Sequence, residues 1–509
     1  MQYNNEKCDE YMPGNRSTNG YGAVRIFNTM SRKTETLKTL KEGLVKIYCC
    51  GPTVYESPHI GNMRTYVWQD IFRRTLELNG YEVLHVRNIT DVGHLKSDAD
   101  TGEDKLQESA NRRHSTAWDI ARMYTEEFFD YSRMLNIRDP SVSPRATDHI
   151  NEMLALIKKL DDNGYIYEIR NDGIYYDTSK FKEYGKLTGM NFAQLNNYLI
   201  GGARVELSKD KRNITDFALW KFSPVDEKRD MEWDSEYGIG FPGWHIECSA
   251  MSMKYLGETI DIHCGGVDHI YIHHPNEIAQ SEGATGKKFV NYWMHGEFIL
   301  VENKKMSKSK GSFYTVADIL KKGFGWREIR YLLFSAHYRS QLNFTFRGLE
   351  SAKASISRMH DIMRRLNGIN EPDDNAELKK LRAFVNSHKN EFLKYMNNDI
   401  MVPEALRVVF DLISYINKQI EEGRIGKTGS EEAIGAMLFF DSVLGLNLAE
   451  LMEEDEAPQE VIELLDKRDI ARAKRDYALA DEIRNTILDK YGFIVEDSKD
   501  GQHLKKASR

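Results

Sequence analysis

The sequence predicts an α/β protein: a parallel-sheet domain split by an insertion, followed by an α-helical bundle and a small C-terminal module. Three observations carry this. Residues 45–91 read strand, Gly/Pro turn, helix, Gly, strand, which is the order of a βαβ unit and therefore of a parallel sheet. A second strand-then-helix pattern appears only much later, at 257–284. Beyond 345 almost everything is amphipathic helix with short polar breaks.

Residues 1–22 are polar and Asn-rich, with no apolar core for a secretory signal, and read as a disordered extension. Residues 23–140 hold the first half of the α/β domain. Within "VKIYCC", Val45, Ile47 and Cys49 share a strand face and Cys50 points the other way. Val67, Ile71, Leu76 and Leu78 follow at roughly helical spacing until Asn79-Gly80 stops the helix. The pattern turns helical from about 103 to 163. Residues 141–240 form the connective insertion, with a hairpin at 164–177 turning on Asn171-Asp172-Gly173. Residues 241–300 supply the second half, 301–345 a basic loop region and 346–449 the bundle. The stretch 450–466 has eight acids and no base and reads as a linker. Residues 467–509 carry eleven bases against eight acids and read as a basic module.

Five irregularly spaced cysteines in 509 residues argue against a disulfide framework and for a reducing cytoplasm. A net charge of −8 does not by itself suggest a nucleic-acid binder. No apolar run approaches the roughly 18–20 residues that span a bilayer, so no membrane partner is expected.

Three short stretches carry chemistry. "IHCGGVDHIYIHHPNE" (262–277) holds four of the fifteen histidines, and His273 and Glu277 are spaced to share one helix face. An imidazole and a carboxylate are reasonable zinc ligands, but two do not complete a tetrahedral site, so others must come from elsewhere. "PHIGN" (58–62) sits at a strand-to-helix junction, where a helix N-terminus, a close-approaching Gly61 and a His59 donor suit a phosphate. "NKKMSKSKGS" (303–312) puts Lys304, Lys305, Lys308 and Lys310 in a Ser/Gly-rich loop. Four ammonium groups repel unless a polyanion is near, which fits a phosphate-clamping loop.

The last two stretches resemble the HIGH and KMSKS signatures of class I aminoacyl-tRNA synthetases, the second intact at Lys305–Ser309. "YCCGPTVY", "NITD", "RNITDFALWK", "GFPGWHIECSAM", "HHPNEIAQS" and "HYRSQLN" are similar to the cysteinyl-tRNA synthetase family from about residue 24 onward. The resemblance implies a Rossmann-like class I catalytic domain, a KMSKS and stem-contact region at 301–345, and an anticodon-binding module at 467–509. It implies one zinc ion per chain on Cys50, Cys248, His273 and Glu277, and a cysteine pocket of Thr90, Trp244 and His263. ATP would meet His59, Gly61, Asn62, Asp268, Lys305 and Lys308, with His59, Lys305 and Lys308 as the catalytic groups and Mg²⁺ arriving with ATP. The substrates implied are L-cysteine, ATP and tRNA(Cys), handled by a cytoplasmic monomer. Zinc makes chemical sense there: cysteine and serine differ by one atom, and a metal that prefers thiolate separates them where shape discriminates poorly.

Three departures stand out. Asn62 occupies the last HIGH position, "VGHLKSDADTGEDK" replaces a lysine-rich stretch after "NITD", and "GQHLKK" replaces an aromatic-then-basic ending. The second puts any persulfide-forming side activity in doubt; with the third, stacking of an anticodon base is either lost or passed to His503. Two competing readings are a cysteine ligase with an amino-sugar acceptor and a non-catalytic tRNA-binding paralogue. The basic module argues against the first, and the intact KMSKS and zinc positions against the second. A zinc hydrolase fits least, since no HExxH is present.

Overall fold

The computed structural model describes residues 22–92, 104–201, 210–224, 229–306, 313–453, 458–474, 476–498 and 501–506. The expected N-terminal extension up to residue 21, most of the stretch after "NITD", and Lys308 with Lys310 lie outside these residues. Among the described residues, those within 22–352 and 390–407 form one compact unit, and those within 353–389 and 408–506 another.

In the first unit, β1 (Leu44–Cys49), α1 (Ile60–Leu78) and β2 (Glu82–Arg87) make the expected βαβ unit. After the insertion come α2 (Trp244–Leu256), β3 (Ile260–Gly266), α3 (His273–Thr285) and β4 (Val290–Gly296). The four strands form one parallel sheet in the order β4-β3-β1-β2. Chain order therefore reverses between β1 and β3, the place where open α/β sheets bind ligands at their carboxyl ends.

In-register residues of parallel strands share a face, so the register sorts the side chains. Tyr48, His263 and Trp293 form one cross-strand row. Arg87, Cys49, Cys264 and Met294 form the row on the opposite face. The two vicinal cysteines thus part company: Cys49 belongs to a strand interior, while Cys50 lies just past the strand end.

The first half continues with helices Lys105–Arg113 and Ala117–Met134, and the insertion then adds the helix Ile150–Asp162 before turning antiparallel. Strands Ile166–Ile169, Gly173–Tyr176, Phe217–Phe222 and Gly240–Pro242 form a meander. Its first turn passes through Asn171 at φ +60°, as the Asn-Asp-Gly signal required. Tyr176 Oη donates to Ala279 O (2.9 Å) and Tyr184 Oη to Asn276 Oδ1, so this sheet braces α3.

In the second unit the acidic stretch departs from its reading as a linker. Helices cover Leu448–Glu453 and Gln459–Ala473, and Val461 is fully buried with Ile483, Ile487, Phe493 and Val495. Glu450, Glu460, Glu463 and Asp466 occupy exposed helix positions, and residues 454–457 lie outside the described residues, while Val461 enters the module core. The module is therefore a helical hairpin, Gln459–Ala473 and Tyr477–Tyr491, followed by a β-hairpin of Phe493–Ser498 and Gly501–Lys506. It begins near 458 rather than at 467.

Helix α1 is pinned by buried arginines. Arg64 donates to the carbonyls of Glu297, Phe298, His337 and Ser340, fixing "HYRS" beside the helix N-terminus. Asp70 Oδ2 accepts from Arg74 Nε (2.7 Å) and Arg330 Nη2 (2.6 Å), and Oδ1 accepts from the Arg138 N–H (2.9 Å). Burial opposes the charged carboxylate, but the two guanidinium groups outweigh it and hold the group far below the ordinary carboxylate range. Asp70→Ala leaves two buried cations unbalanced and is expected to cost about 3–5 kcal/mol in denaturant unfolding at pH 7. Because the folded value is depressed, this contribution is complete above about pH 4 and shrinks as the pH falls toward the folded value, so the deficit of the variant narrows in acid.

Candidate active site

At the strand-order reversal the carboxyl ends of β1 and β3 open into a cavity of about 300 Å³. Its floor is Cys50, Cys248 and His273, its walls include Thr90 and Trp244, and its mouth carries His59, Asn62 and Asp268. Three elements deliver the four residues at the floor: Cys50 follows β1, Cys248 lies on α2, and His273 and Glu277 lie one turn apart on α3.

The donor atoms of Cys50, Cys248, His273 and Glu277 all lie within 4.8 Å of one another, and all four residues are buried. Glu277 Oε1 is 3.1 Å from His273 Nε2 and 3.9 Å from Cys50 Sγ. Such separations match the roughly 3.3–3.6 Å between ligand atoms around tetrahedral zinc, within the slack that an ion would take up. His273 Nδ1 is 2.9 Å from His245 Nδ1, which holds the ring with Nε2 turned to the cluster. The cluster can hold a metal ion. Cys50, His263, His274 and Glu277 form a second, overlapping set within the same 4.8 Å limit.

The electrostatics suit a cation. Burial alone would raise the Glu277 carboxyl, but His263 and His273 outweigh it and hold it at about 2. Hydrogen bonds to Cys248 and Glu277 overcome burial at His273 and lift it to about 10. The thiols share a proton: the Cys50 hydrogen bond draws Cys248 down to about 7, while burial pushes Cys50 up. A 2+ ion bound by these groups would replace those protons as the counter-charge.

At the mouth, His59 caps α1. Its Nδ1 accepts from the Asn62 N–H (3.1 Å), while Asn62 Oδ1 accepts from the His59 N–H (3.0 Å), a reciprocal capping box. Asn62 therefore serves the helix cap. Burial lowers His59 to about 4, so the ring is neutral, and with Nδ1 accepting, its proton sits on Nε2. Gly61 is required here, because a Cβ would lie 2.9 Å from the His59 ring and from Met306 Cε. Both roots of the lysine loop thus meet this helix end. Met306 reaches Gly61, Lys305 is exposed on a short strand (Lys304–Lys305), and the Ile60 N–H donates to Tyr314 O (2.9 Å).

The expected cysteine-pocket residues divide. Trp244 packs at 4.5 Å from the His273 ring, and Thr90 Oγ1 donates to Glu247 Oε2 (2.9 Å) while accepting from Asn88 Nδ2 (3.0 Å). His263 lies behind the floor, fully buried, with Nε2 2.9 Å from Glu277 Oε2. The sequence reading passed over His245, His269 and His295. His245 and His269 lie within the stretches GFPGWHIECSAM and IHCGGVDHIYIHHPNE, where histidine density is the available signal, whereas His295 lies outside both. His269 lines the cavity, and burial keeps it neutral at about 4.

Residues 36–354 match the family model for the class I (C) tRNA synthetase catalytic domain. A cysteine–tRNA ligase of Treponema denticola is 43% identical, covering 95% of this chain and 100% of its own length. Cysteine–tRNA ligase 1 of Burkholderia lata is 45% identical, with coverages of 94% and 96%. Among solved structures, Mycobacterium tuberculosis methionyl-tRNA synthetase with methionyl-adenylate aligns with a TM-score of 0.54 at 14% identity, covering 81% of this chain and 91% of that one. That likeness speaks to the shared class I fold. With the catalytic-domain match across most of its length and relatives above 40% identity along nearly all of it, the chain belongs to the cysteinyl-tRNA synthetase family of class I aminoacyl-tRNA synthetases.

Proposed function

We propose that this chain is a cysteine–tRNA ligase: it joins L-cysteine and ATP into cysteinyl-adenylate and pyrophosphate, then passes the cysteinyl group to the 3′-terminal adenosine of tRNA(Cys). The observation that carries this is the thiol-rich cluster flooring a cavity whose mouth holds the "PHIGN" cap and the roots of the lysine loop. Its place in the family is the second support.

Cys50, Cys248, His273 and Glu277 are the residues that would hold one zinc ion; two thiols, a pre-oriented imidazole and a buried carboxylate suit it. When bound, zinc favours a soft thiolate over an alcohol and draws the proton from a coordinated thiol, which separates cysteine from serine. Trp244 and Thr90 would pack against the amino acid, with His263 supporting the floor through Glu277.

Adenylate formation makes a bond from the cysteine carboxylate oxygen to the α-phosphorus and breaks the bond to pyrophosphate. It needs alignment and charge stabilisation rather than a protein nucleophile. His59 offers its Nε2–H to a phosphate oxygen, beside the α1 N-terminus at Gly61 and Asn62. Asp268 stands on the adenosine side. Lys305, and Lys308 by its place in the sequence, would close on the polyphosphate with Mg²⁺. Four buried free thiols among the described cysteines fit a reducing cytoplasm. No described helix is long and apolar enough to cross a membrane. The monomeric state rests on the family resemblance.

Cys248→Ser is expected to weaken zinc and cysteine binding together by tenfold or more, read by metal competition and by cysteine calorimetry. Unchanged affinity for both would remove Cys248 from the site. At the mouth, cap and donor can be separated. His59→Ala should lose about 1 kcal/mol of stability and about 10²–10³ in ATP–pyrophosphate exchange. His59→Asn keeps a good cap, so it should recover the melting temperature but not the rate. Ending the chain after Glu453 removes the module with its own core. Cysteine-dependent exchange should persist while tRNA charging falls, and the affinity of the intact chain for tRNA should drop steeply with salt.

A further inference from the structure

We propose that the cavity floor carries a second, inner position for a divalent metal ion, formed by Cys50, His263, His274 and Glu277, and that ions favouring imidazole occupy it in place of the outer one. The inference takes Cys50, Cys248, His273 and Glu277 as the outer, resident position. The inner donors also lie within 4.8 Å of one another. His263, His274 and Glu277 are fully buried and Cys50 is 7% exposed. Cys50 Sγ is 3.4 Å from His274 Nε2, and Glu277 is 2.9 Å from His263 Nε2 and 3.8 Å from His274 Nε2.

His274 is held as a metal ligand is held, whereas His263 is held by packing, its buried Nδ1 having no hydrogen-bond partner among the described residues. His274 Nδ1 lies 2.8 Å from His295 Nε2, and His295 Nδ1 lies 2.8 Å from Thr29 Oγ1. That chain secures the far side of the ring and leaves Nε2 facing Cys50, the same arrangement that His245 gives His273. His263 is fixed by stacking on Trp293 at 4.7 Å and 19°. The strand end is cut to fit: a Cβ on Gly265 would come 2.6 Å from His274 Cε1 and 2.9 Å from its Nε2, so only glycine leaves the ring in place.

The two sets differ in softness. The outer one offers two sulfurs and one imidazole, the inner one a single sulfur and two imidazoles. Thiolate-rich sites favour zinc, whereas imidazole suits nickel and copper equally well. Cys50 and Glu277 belong to both sets, so one ion is held at a time. An ion in the inner position takes these two ligands from Cys248 and His273 and so disables the cysteine-selecting arrangement.

X-ray absorption on the metal-stripped, full-length chain reloaded with one ion tests this. The zinc form should show two sulfur neighbours, and the nickel form one sulfur with imidazole scattering. In parallel, Cys248→Ala should still bind one equivalent of Co²⁺ with a single-thiolate charge-transfer band. Adding His263→Ala and His274→Ala to that variant should weaken Co²⁺ binding at least a hundredfold. Two sulfurs around nickel, two ions bound at once, or Co²⁺ binding indifferent to the two histidines would overturn the proposal. One sulfur around zinc would instead place zinc at the inner position and overturn the outer reading. The nickel measurement uses the unaltered chain, so a variant that fails to fold leaves it standing.

Discussion

The catalytic half of the molecule is organised around one costly group, the Glu277 carboxylate. It is fully buried, and an isolated ionised carboxylate in such a place would cost many kcal/mol. The structure answers by converging partners from separate elements: His263 from β3, His273 one turn earlier on α3, and Cys50 from the end of β1. Removing any one leaves the buried carboxylate with one partner fewer in a place where water cannot replace it. The cluster therefore ties the two halves of the split domain across the strand-order reversal, where the substrate cavity lies.

Close backbone approach is the geometric counterpart of that convergence. A Cβ at Gly51 would lie 1.5 Å from Asn88 O, and the Gly51 N–H donates to Asn88 Oδ1 (2.8 Å). The loops leaving β1 and β2 can touch only because residue 51 has no side chain. That contact sets Cys50 in the floor and, through the Asn88 side chain, places Thr90 in the wall. Gly61 plays the matching part at the mouth, where Met306 and His59 meet above it.

His59 joins structure to chemistry in one ring. Its Nδ1 accepts the helix-capping hydrogen bond, which assigns the proton to Nε2 and so makes a neutral donor at the positive end of α1. Asn62 completes the cap from the other side. A residue that departs from the familiar motif thus takes on a definite local task, which the motif comparison alone would count only as a loss.

The βαβ unit, the insertion hairpin and the helical C-terminal half were readable along the chain, because periodicity and turn chemistry are local. So was the His273/Glu277 pair, since one helical turn fixes it. The remaining metal-ligand candidates were not readable from spacing: Cys50 and Cys248 reach Glu277 only through tertiary packing, and resemblance rather than physics singled them out. Strand alternation separated Cys49 from Cys50 but could not say which face held the cavity; the β1–β3 register decided that. The acidic stretch misled for a related reason. Its described acids, Glu450, Glu460, Glu463 and Asp466, lie on the solvent side of two helices, whereas burial of Val461 against Ile483, Ile487 and Phe493 depends on partners further along the chain. The sequence by itself determined which segments are strand, helix or turn and which residues carry chemistry. Only the tertiary structure decided which of them meet, because charge pairing and burial act between residues that the chain keeps far apart.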